Sequence, residues 1–486
     1  MTGENLTLHT DKYQINMMYA HWKGGTYNEK TVFDLYFRKL PFGNGFAVCA
    51  GLERVVRYIQ SLTFGEAELA FLAAQEEDYD SAFLEELGRF SFTGTLHAIP
   101  EGTIVFANEP LLRVEARVFE AQLIETAMLN FVNYQTLIAT KAARIKMVAP
   151  HDGLLEFGTR RAQEADAAIW GARAAYLAGF DGTSNLRAGM LFGMPVSGTH
   201  AHAWVQFHES EEEAFMRYAN ALPNQVTLLV DTYDTLRSGV PNAIRTAKAL
   251  EMQGKKMKGI RLDSGDLAYL SAEARRMLDE AGLADVKIVA SNDLDEHIIA
   301  ELKAQGARID IWGIGTQLIT AADHPALGGV YKLVAREQEG QYKPVIKISG
   351  NPEKVTTPGI KSIYRMINPA SGKAEADYIA LQAESDVDEG QPIKLFDPIH
   401  PQFNKIMREY IAMPLLRPIF EEGELVYQLP ELREIREHHR EQLSLFWPQY
   451  LRKLNPEKYP VDLSTELWEL KRDLIQRYQG QGAEEE

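Results

Sequence analysis

The hydrophobic pattern of the chain becomes regular after about residue 150. From there, short apolar runs of strand length alternate with longer segments whose apolar residues recur at helical spacing. The predicted strands are 153–157, 189–196, 226–230, 257–262, 286–290 and 309–314, and the predicted helices are 161–177, 211–221, 241–252, 267–281 and 293–305. Strands that alternate with helices in this way form a parallel sheet, which is either closed into a barrel or open and doubly wound.

The segments on either side of this alternation have a mixed pattern. Residues 31–37 alternate as a half-buried strand does, and residues 320–425 are richer in glycine and proline and favour strands and loops. The C-terminal part is strongly charged and favours helix. A chain of 486 residues exceeds what one hydrophobic core normally serves, so two or three domains are expected.

Composition narrows the class of protein. The hydrophobic fraction of 45% and the charged fraction of 24% are those of an ordinary globular protein. A net charge of −17 argues against nucleic acid or an anionic membrane as a partner, because both need a continuous basic surface. We expect a cytoplasmic protein, since no signal peptide and no apolar run of membrane-spanning length is visible. The single cysteine, Cys49, excludes a disulfide framework and a cysteine-cluster zinc site.

Two of the predicted strands end in cationic or acidic residues. Arg160 and Arg161 follow the first strand, and at least one of them can face a cleft and bind a phosphate. Arg261 and Asp263 lie at the end of the fourth strand. The arginine can bind an anion, and the aspartate can accept hydrogen bonds from sugar hydroxyls or from a hydrated metal. The alternative for the first pair is a solvated helix start, and the alternative for the second is a turn that caps a helix.

Two further strand ends are less specific. Asp231 follows residues 226–230 and would serve equally as a helix cap. Gly315 and Thr316 follow the last predicted strand, where backbone amides can bind a phosphate.

Two histidines, His200 and His202, lie two residues apart in the run GTHAHAW at 198–204. A metal pair would need further histidine or carboxylate ligands, and the local sequence does not point to them. Either histidine could instead be buried and structural, or act as a nucleophile or an acid–base group, because imidazole titrates in the right range.

These clusters, in this order, resemble the nicotinate phosphoribosyltransferase family. The resemblance extends from the N-terminus to at least Arg365, and six ordered motifs make it specific. They are TDKYQ at 10–14, EFGTRR at 156–161, FDGTSN at 180–185, GTHAH at 198–202, RLDSGD at 261–266 and GIGT at 313–316.

The resemblance implies the type II phosphoribosyltransferase architecture, an irregular, TIM-like α/β barrel with an additional α/β domain and a helical C-terminal extension. The corresponding boundaries are an N-terminal α/β domain over 1–135 completed by about 345–425, a barrel with the active site over 136–344, and a helical segment over 426–486. The implied reaction joins nicotinate to phosphoribosyl pyrophosphate, giving nicotinate mononucleotide and pyrophosphate in NAD salvage. ATP, with Mg²⁺ bound through the polyphosphate oxygens, would be hydrolysed through a transient phosphohistidine.

The family motifs also imply roles for individual residues. The phosphohistidine would be His202, whereas His200 occupies a position that varies in the family. The substrate contacts implied are Tyr13 and Phe157 on the pyridine ring, Arg160, Thr199 and Arg261 around the nicotinate carboxylate and pyrophosphate, Asp263 and Asp231 at the ribose, and Gly315 and Thr316 at the 5′-phosphate. Tyr13 would come from the partner subunit of a homodimer, so that each active site is shared between subunits.

Ser184 bears on the choice of substrate. Nicotinamide phosphoribosyltransferases carry an acidic residue at this position, where a carboxylate accepts a hydrogen bond from the amide and would repel nicotinate. A serine therefore favours nicotinate, the acid substrate.

Three alternative functions remain. They are nicotinamide phosphoribosyltransferase activity, a non-catalytic sensor of nicotinate or phosphoribosyl pyrophosphate on the same scaffold, and an unrelated barrel lyase that uses the two histidines with a metal.

Overall fold

The structure is a computed structural model that describes residues 5–351, 354–384, 387, 391–398, 400–402 and 404–481. The last five residues of the predicted C-terminal segment, 482–486, lie outside these ranges. The chain divides into two units. The first comprises Met1–Leu137 and Ala326–Glu486, and the second comprises Ile138–Pro325.

The helices are α1 (Lys12–Lys23), α2 (Leu52–Ser61), α3 (Glu66–Ala73), α4 (Ser81–Gly88), α5 (Val118–Val148), α6 (Glu164–Leu177), α7 (Leu186–Phe192), α8 (His202–Gln206), α9 (Glu211–Ala221), α10 (Val240–Met252), α11 (Leu267–Glu280), α12 (Glu296–Ala304), α13 (Thr316–Ile319), α14 (Leu432–Ser444), α15 (Pro448–Leu451) and α16 (Thr465–Gln481). The strands are β1 (Lys30–Phe37), β2 (Ala47–Val48), β3 (Thr95–Ala98), β4 (Ile104–Val105), β5 (Leu112–Arg117), β6 (Gly153–Glu156), β7 (Gly182–Thr183), β8 (Thr227–Leu229), β9 (Gly259–Leu262), β10 (Lys287–Ala290), β11 (Ile311–Ile314), β12 (Gly329–Gln338), β13 (Gln341–Pro344), β14 (Lys361–Asn368), β15 (Lys373–Leu381), β16 (Ile393–Phe396), β17 (Asn404–Met407), β18 (Ile411–Pro414), β19 (Arg417–Glu421), β20 (Glu424–Leu425) and β21 (Val461–Leu463).

The second unit is built on a parallel sheet. Its six strands lie in the order β7-β6-β11-β10-β9-β8, and each neighbouring pair is parallel. The predicted α/β class with a parallel sheet is therefore confirmed. A closed barrel is not, because in the described part of the chain β7 and β8 are the two edges of this sheet.

Helices α6, α9, α10, α11 and α12 confirm all five predicted helices to within three residues. The predicted strand over 189–196 is wrong, because helix α7 occupies its first half. The Asn185 side chain caps this helix by accepting a hydrogen bond from the Ala188 amide at 2.9 Å, and Gly193 ends it at a positive φ of 66°. The apolar run was misleading because Leu186 and Met190 of α7 are each 76% exposed rather than buried in a sheet.

The first unit contains a mostly antiparallel set of sheets. Its largest sheet has the order β13-β12-β1-β5-β3-β19-β20, so strands from the N-terminal part of the chain pair with strands that follow residue 326. A second sheet has the order β18-β14-β15-β21. Strand β21, which pairs in parallel with β15, interrupts the C-terminal segment for which only helix was predicted.

Strand β1 differs from its predicted half-buried pattern. All residues from Thr31 to Phe37 are buried. The polar position Asp34 lies inside because its carboxylate is 2.8 Å from the Lys361 ammonium, and both side chains are 2% exposed. The charge of this polar residue is therefore compensated by a cation far away in the sequence, and not by exposure to solvent.

None of the helices in the described part of the chain is both long enough and apolar enough to cross a membrane.

A buried ionic cluster holds helices of the second unit together. The Lys141 ammonium, near the end of α5, lies 2.8 Å from Glu296 Oε2 and 2.9 Å from Asp323 Oδ1. Arg144 Nε lies 2.8 Å from Glu296 Oε1. Burial by itself would raise the pKa of Glu296, but the charge of Lys141 and the hydrogen bonds from both cations keep this pKa below its ordinary value.

We expect Glu296→Gln to lower the free energy of unfolding by about 3–5 kcal/mol at neutral pH, because it leaves buried cations without this counter-charge. The cost should shrink as the pH falls below the ordinary carboxyl pKa of 4.5, because Glu296 then binds a proton in the unfolded chain, while the folded carboxylate, whose pKa is lowered, stays charged to a lower pH. The matched control is Glu280→Gln, which breaks an exposed pair with Arg276 and should cost less than about 1 kcal/mol. Denaturant unfolding of the three proteins across pH measures both effects, and equal costs for the two variants would contradict this account.

Candidate active site

Arg261, in β9, is the centre of the polar group at the carboxyl edge of the parallel sheet. Its guanidinium donates from Nε to Ser291 Oγ at 2.9 Å, from Nη1 to Thr199 Oγ1 at 3.0 Å and from Nη2 to Asp263 Oδ1 at 2.9 Å. Its Cζ atom lies 5.5 Å from the centre of the Phe157 ring. Three partners on three separate segments therefore hold one planar cation in a single orientation.

Ser291 is a member of this group that the sequence analysis missed. It follows β10, accepts from Arg261 and donates to Asp263 Oδ1, so it joins the arginine to the aspartate. The available signal was the polar run after the predicted strand 286–290, which continues with Asn292 and Asp293. Both of these residues have positive φ, 96° and 46°, a backbone strain that is often found at functional sites.

Asp231 lies directly beside Asp263. Its side chain is only 2% exposed, and its Oδ2 atom accepts from the Asp263 amide at 2.8 Å and the Ser264 hydroxyl at 2.6 Å. Its Oδ1 atom is buried and has no hydrogen-bond partner among the residues that the structure describes. A buried carboxylate oxygen without a partner is costly, which suggests that Oδ1 serves a group that binds here.

His202 is the first residue of α8 and faces both aspartates. Its Nε2 atom is 3.9 Å from Asp231 Oδ1 and 3.9 Å from Asp263 Oδ2, while Nδ1 lies 3.1 Å from Thr232 Oγ1. Its side chain is 39% exposed, so the imidazole is open to a ligand. Thr232, which helps to orient it, was not identified from the sequence.

His200 has the opposite environment, because it is buried and both ring nitrogens lie near backbone atoms. Burial, together with the charges of Arg261 and His202, lowers the pKa of His200. It is not exposed to a ligand as His202 is.

The ends of β6 and β7 are joined through Glu156. This fully buried carboxylate accepts from the Gly158 amide and, at 2.6 Å, from the Thr183 hydroxyl, while the Ser184 amide donates to the Glu156 carbonyl at 2.9 Å. Burial raises the pKa of Glu156. The predicted residues Phe157 and Ser184 are thus held on adjacent strand ends by Glu156, to which the sequence analysis gave no role.

Two glycines, one in β11 and one directly after this strand, make room for Phe157. A Cβ atom on Gly313 would lie 2.5 Å from the Phe157 ring, and one on Gly315 would lie 3.2 Å from the Phe157 carbonyl oxygen. Thr316, the first residue of α13, is half-buried beside them. Packing against Phe157 therefore explains the glycines of the short GIGT motif, in addition to the predicted binding of a phosphate.

Not every predicted residue joins this group. Arg160 and Arg161 lie on the exposed 3₁₀ turn Thr159–Arg161, and neither makes a hydrogen bond or ion pair with the Arg261 group among the described residues. Tyr13 belongs to α1 in the first unit and is 50% exposed. The ligand roles of all three remain predictions.

No cluster of three or more His, Cys, Asp or Glu side chains that could hold a metal ion occurs in the part of the chain that the structure describes.

Three family models match the chain and together cover most of it. The nicotinate phosphoribosyltransferase (NAPRTase) N-terminal domain matches residues 8–133, the nicotinate phosphoribosyltransferase (NAPRTase) family matches residues 153–378, and the nicotinate phosphoribosyltransferase C-terminal domain matches residues 360–471.

Individual relatives agree with these matches over nearly the full chain. The chain is 54% identical over 484 residues to nicotinate phosphoribosyltransferase of Bacillus subtilis, covering 99% of this chain and 98% of that protein. It is 36% identical over 514 residues to the human nicotinate phosphoribosyltransferase, covering 94% of each. The crystal structure of human nicotinic acid phosphoribosyltransferase superposes with a TM-score of 0.86 at 34% identity, covering 96% of this chain and 99% of that one. The chain therefore belongs to the nicotinate phosphoribosyltransferase family of enzymes.

Proposed function

We propose that this enzyme condenses nicotinate with phosphoribosyl pyrophosphate to give nicotinate mononucleotide and pyrophosphate, with ATP hydrolysed through a phosphohistidine on His202. The observation that carries the proposal is the arrangement around this imidazole. It is open to ligand, lies 3.9 Å from the carboxylates of Asp231 and Asp263, and stands beside an arginine that three partners orient.

In the phosphoryl step, an imidazole nitrogen of His202 attacks the γ-phosphorus of ATP. The nitrogen–phosphorus bond forms as the bond to the bridging oxygen breaks, and ADP leaves with that electron pair. The unpartnered Oδ1 of Asp231 favours this step because it stabilises the positive charge that develops on the imidazole. Water later breaks the nitrogen–phosphorus bond and releases phosphate.

ATP and Mg²⁺ fit the residues present. Arg261 supplies a fixed cation for a polyphosphate, and Arg160 and Arg161 are exposed on a nearby strand end. Mg²⁺ characteristically retains water and takes substrate phosphate oxygens as ligands, so it needs few protein side chains. When bound, it would neutralise part of the polyphosphate charge.

In the phosphoribosyl step, the bond from ribose C1 to pyrophosphate breaks as the pyridine nitrogen attacks. Positive charge develops on the sugar and negative charge on the leaving group. Asp263 stabilises the ribose, and Arg261 and Thr199 contact the nicotinate carboxylate and the pyrophosphate. Phe157 stacks on the pyridine ring, and Gly315 and Thr316 bind the 5′-phosphate. Oriented groups of this kind lower the barrier because they require no rearrangement during the reaction.

The proposal includes a barrel-like second unit and a homodimer in which Tyr13 of one subunit covers the pyridine ring in the other. It is supported by family membership and by the half-exposed side chain of Tyr13.

We expect His202→Ala to lose all covalent label from γ-labelled ATP and all stimulation of turnover by ATP, because no other imidazole occupies this position. His297→Ala, which removes an exposed histidine of α12, is the control and should label normally. Acid-quenched gels and turnover with and without ATP measure the two effects. Label that persists in His202→Ala would refute the phosphohistidine assignment, and a wild-type protein that binds substrates without turnover would indicate a sensor.

We expect Ser184→Asp to reduce kcat/KM for nicotinate by at least about tenfold, because a carboxylate at this exposed strand end repels the substrate carboxylate. The same variant should gain relative activity with nicotinamide. Ser184→Asn has a neutral side chain of similar shape and is the matched control. Steady-state assays with both substrates measure the ratio. Equal losses in the Asp and Asn variants would show that size rather than charge matters here.

We expect mixed Tyr13→Ala and His202→Ala subunits to recover activity that neither variant has alone. If each site takes one residue from each subunit, random pairing restores about a quarter of the sites. The two variants are unfolded and refolded together, then assayed for ATP-dependent turnover. No recovery in hybrids verified by differently tagged subunits would place Tyr13 outside the partner's site.

A further inference from the structure

His200 is held by two backbone groups. Its Nε2 atom lies 3.2 Å from the amide nitrogen of Leu229, and its Nδ1 atom lies 3.3 Å from the carbonyl oxygen of Ala201. The ring is 7% exposed. The sequence alone gives it no defined role.

The two partners determine the protonation state of the ring. A backbone amide only donates, so Nε2 must be unprotonated, and a backbone carbonyl only accepts, so Nδ1 must carry the hydrogen. His200 is thus a neutral imidazole with one defined tautomer. Its surroundings agree with this, because the ring packs against the side chains of Phe215 and Tyr218 in α9, with ring centroids 5.9 and 5.0 Å away.

The titratable and charged groups that face His200 also favour the neutral form. Arg261 of β9 and His202 of α8 both lower its pKa, in addition to the larger effect of burial. Tyr218 presents a phenol whose pKa is itself raised by burial, so it supplies no negative charge near neutral pH. None of these groups would stabilise a protonated His200 ring.

The amide that His200 accepts from belongs to the edge of the sheet. Among the residues that the structure describes, strand β8 pairs only with β9, so the Leu229 amide on its other side has no neighbouring strand there. The end of β8 leads directly into Asp231 and Thr232, which are two of the groups that face His202. One hydrogen bond therefore joins the loop that carries His202 to the strand that carries its partners.

We propose that His200 is a positioning residue for His202, acting through the hydrogen bond from the Leu229 amide. This inference rests on the proposed phosphorylation of His202. The contact holds the imidazole of His202 against Asp231 and Thr232, so that its nitrogen meets the γ-phosphorus in a fixed orientation. What the position requires is an acceptor for an edge-strand amide, rather than a histidine as such.

The test compares His200→Leu with His200→Gln in the full-length enzyme. Leucine fills the space but has no acceptor, whereas the glutamine carbonyl can reach the position of Nε2. We expect the rate of His202 labelling from γ-labelled ATP to fall by at least about tenfold in the Leu variant and to remain within about threefold of wild type in the Gln variant, because an unsatisfied buried amide disfavours the productive loop position.

Wild-type labelling rates in His200→Leu would overturn the inference, as would equal losses in both variants. Absence of label in the wild-type protein would instead refute the proposed function, so the two failures are distinguishable. A second measurement requires only that the conservative Gln variant folds. The ¹⁵N spectrum of histidine-labelled wild-type enzyme is recorded at neutral pH, and the His200 signals are identified because they are absent from the spectrum of His200→Gln. These signals should have the chemical shifts of an unprotonated Nε2 and a protonated Nδ1. The opposite tautomer, or a charged ring, would overturn the inference.

Discussion

The site depends on the orientation of one guanidinium. Arg261 lies at the carboxyl edge of the parallel sheet, on the strand next to β8, and its donors reach Thr199, Ser291 and Asp263 on three different segments. A planar, permanently charged group with donors on two edges is suited to this task, whereas a lysine would offer a single flexible point charge. Because Asp263 in turn orders Asp231 through its backbone amide, the arginine also determines where the carboxylates near His202 lie.

The two histidines of the GTHAH motif show how environment divides the roles of one residue type. His202 has its ring open and near two carboxylates, so it is suited to accept a phosphoryl group. His200 is buried against aromatic rings and a strand amide, where a charged form is disfavoured. The two residues belong to a single short segment, and the loop geometry sends one ring into the protein and the other to the surface.

The periodicity of the chain predicted most strands and helices of the second unit, since each is short and bounded by polar residues. It failed at 189–196, where α7 keeps apolar side chains exposed, and at β1, where Asp34 is neutralised by Lys361. Local patterns assume that apolar means buried and polar means exposed. Asp34 departs from this assumption because Lys361, far away in the sequence, pairs with it, and α7 departs from it because its apolar side chains are exposed.

The sequence by itself determined the parallel-sheet class, the positions of the polar clusters at the strand ends and the family to which the chain belongs. It did so because strand and helix periodicity and ordered motifs are properties of neighbouring residues. Only the tertiary structure decided that Ser291 joins Arg261 to Asp263, that Asp231 has a buried oxygen with no hydrogen-bond partner among the described residues, and that His200 accepts from β8. These features arise between segments that are 28 or more residues apart along the chain, and hydrogen bonds across such separations depend on how the sheet is assembled.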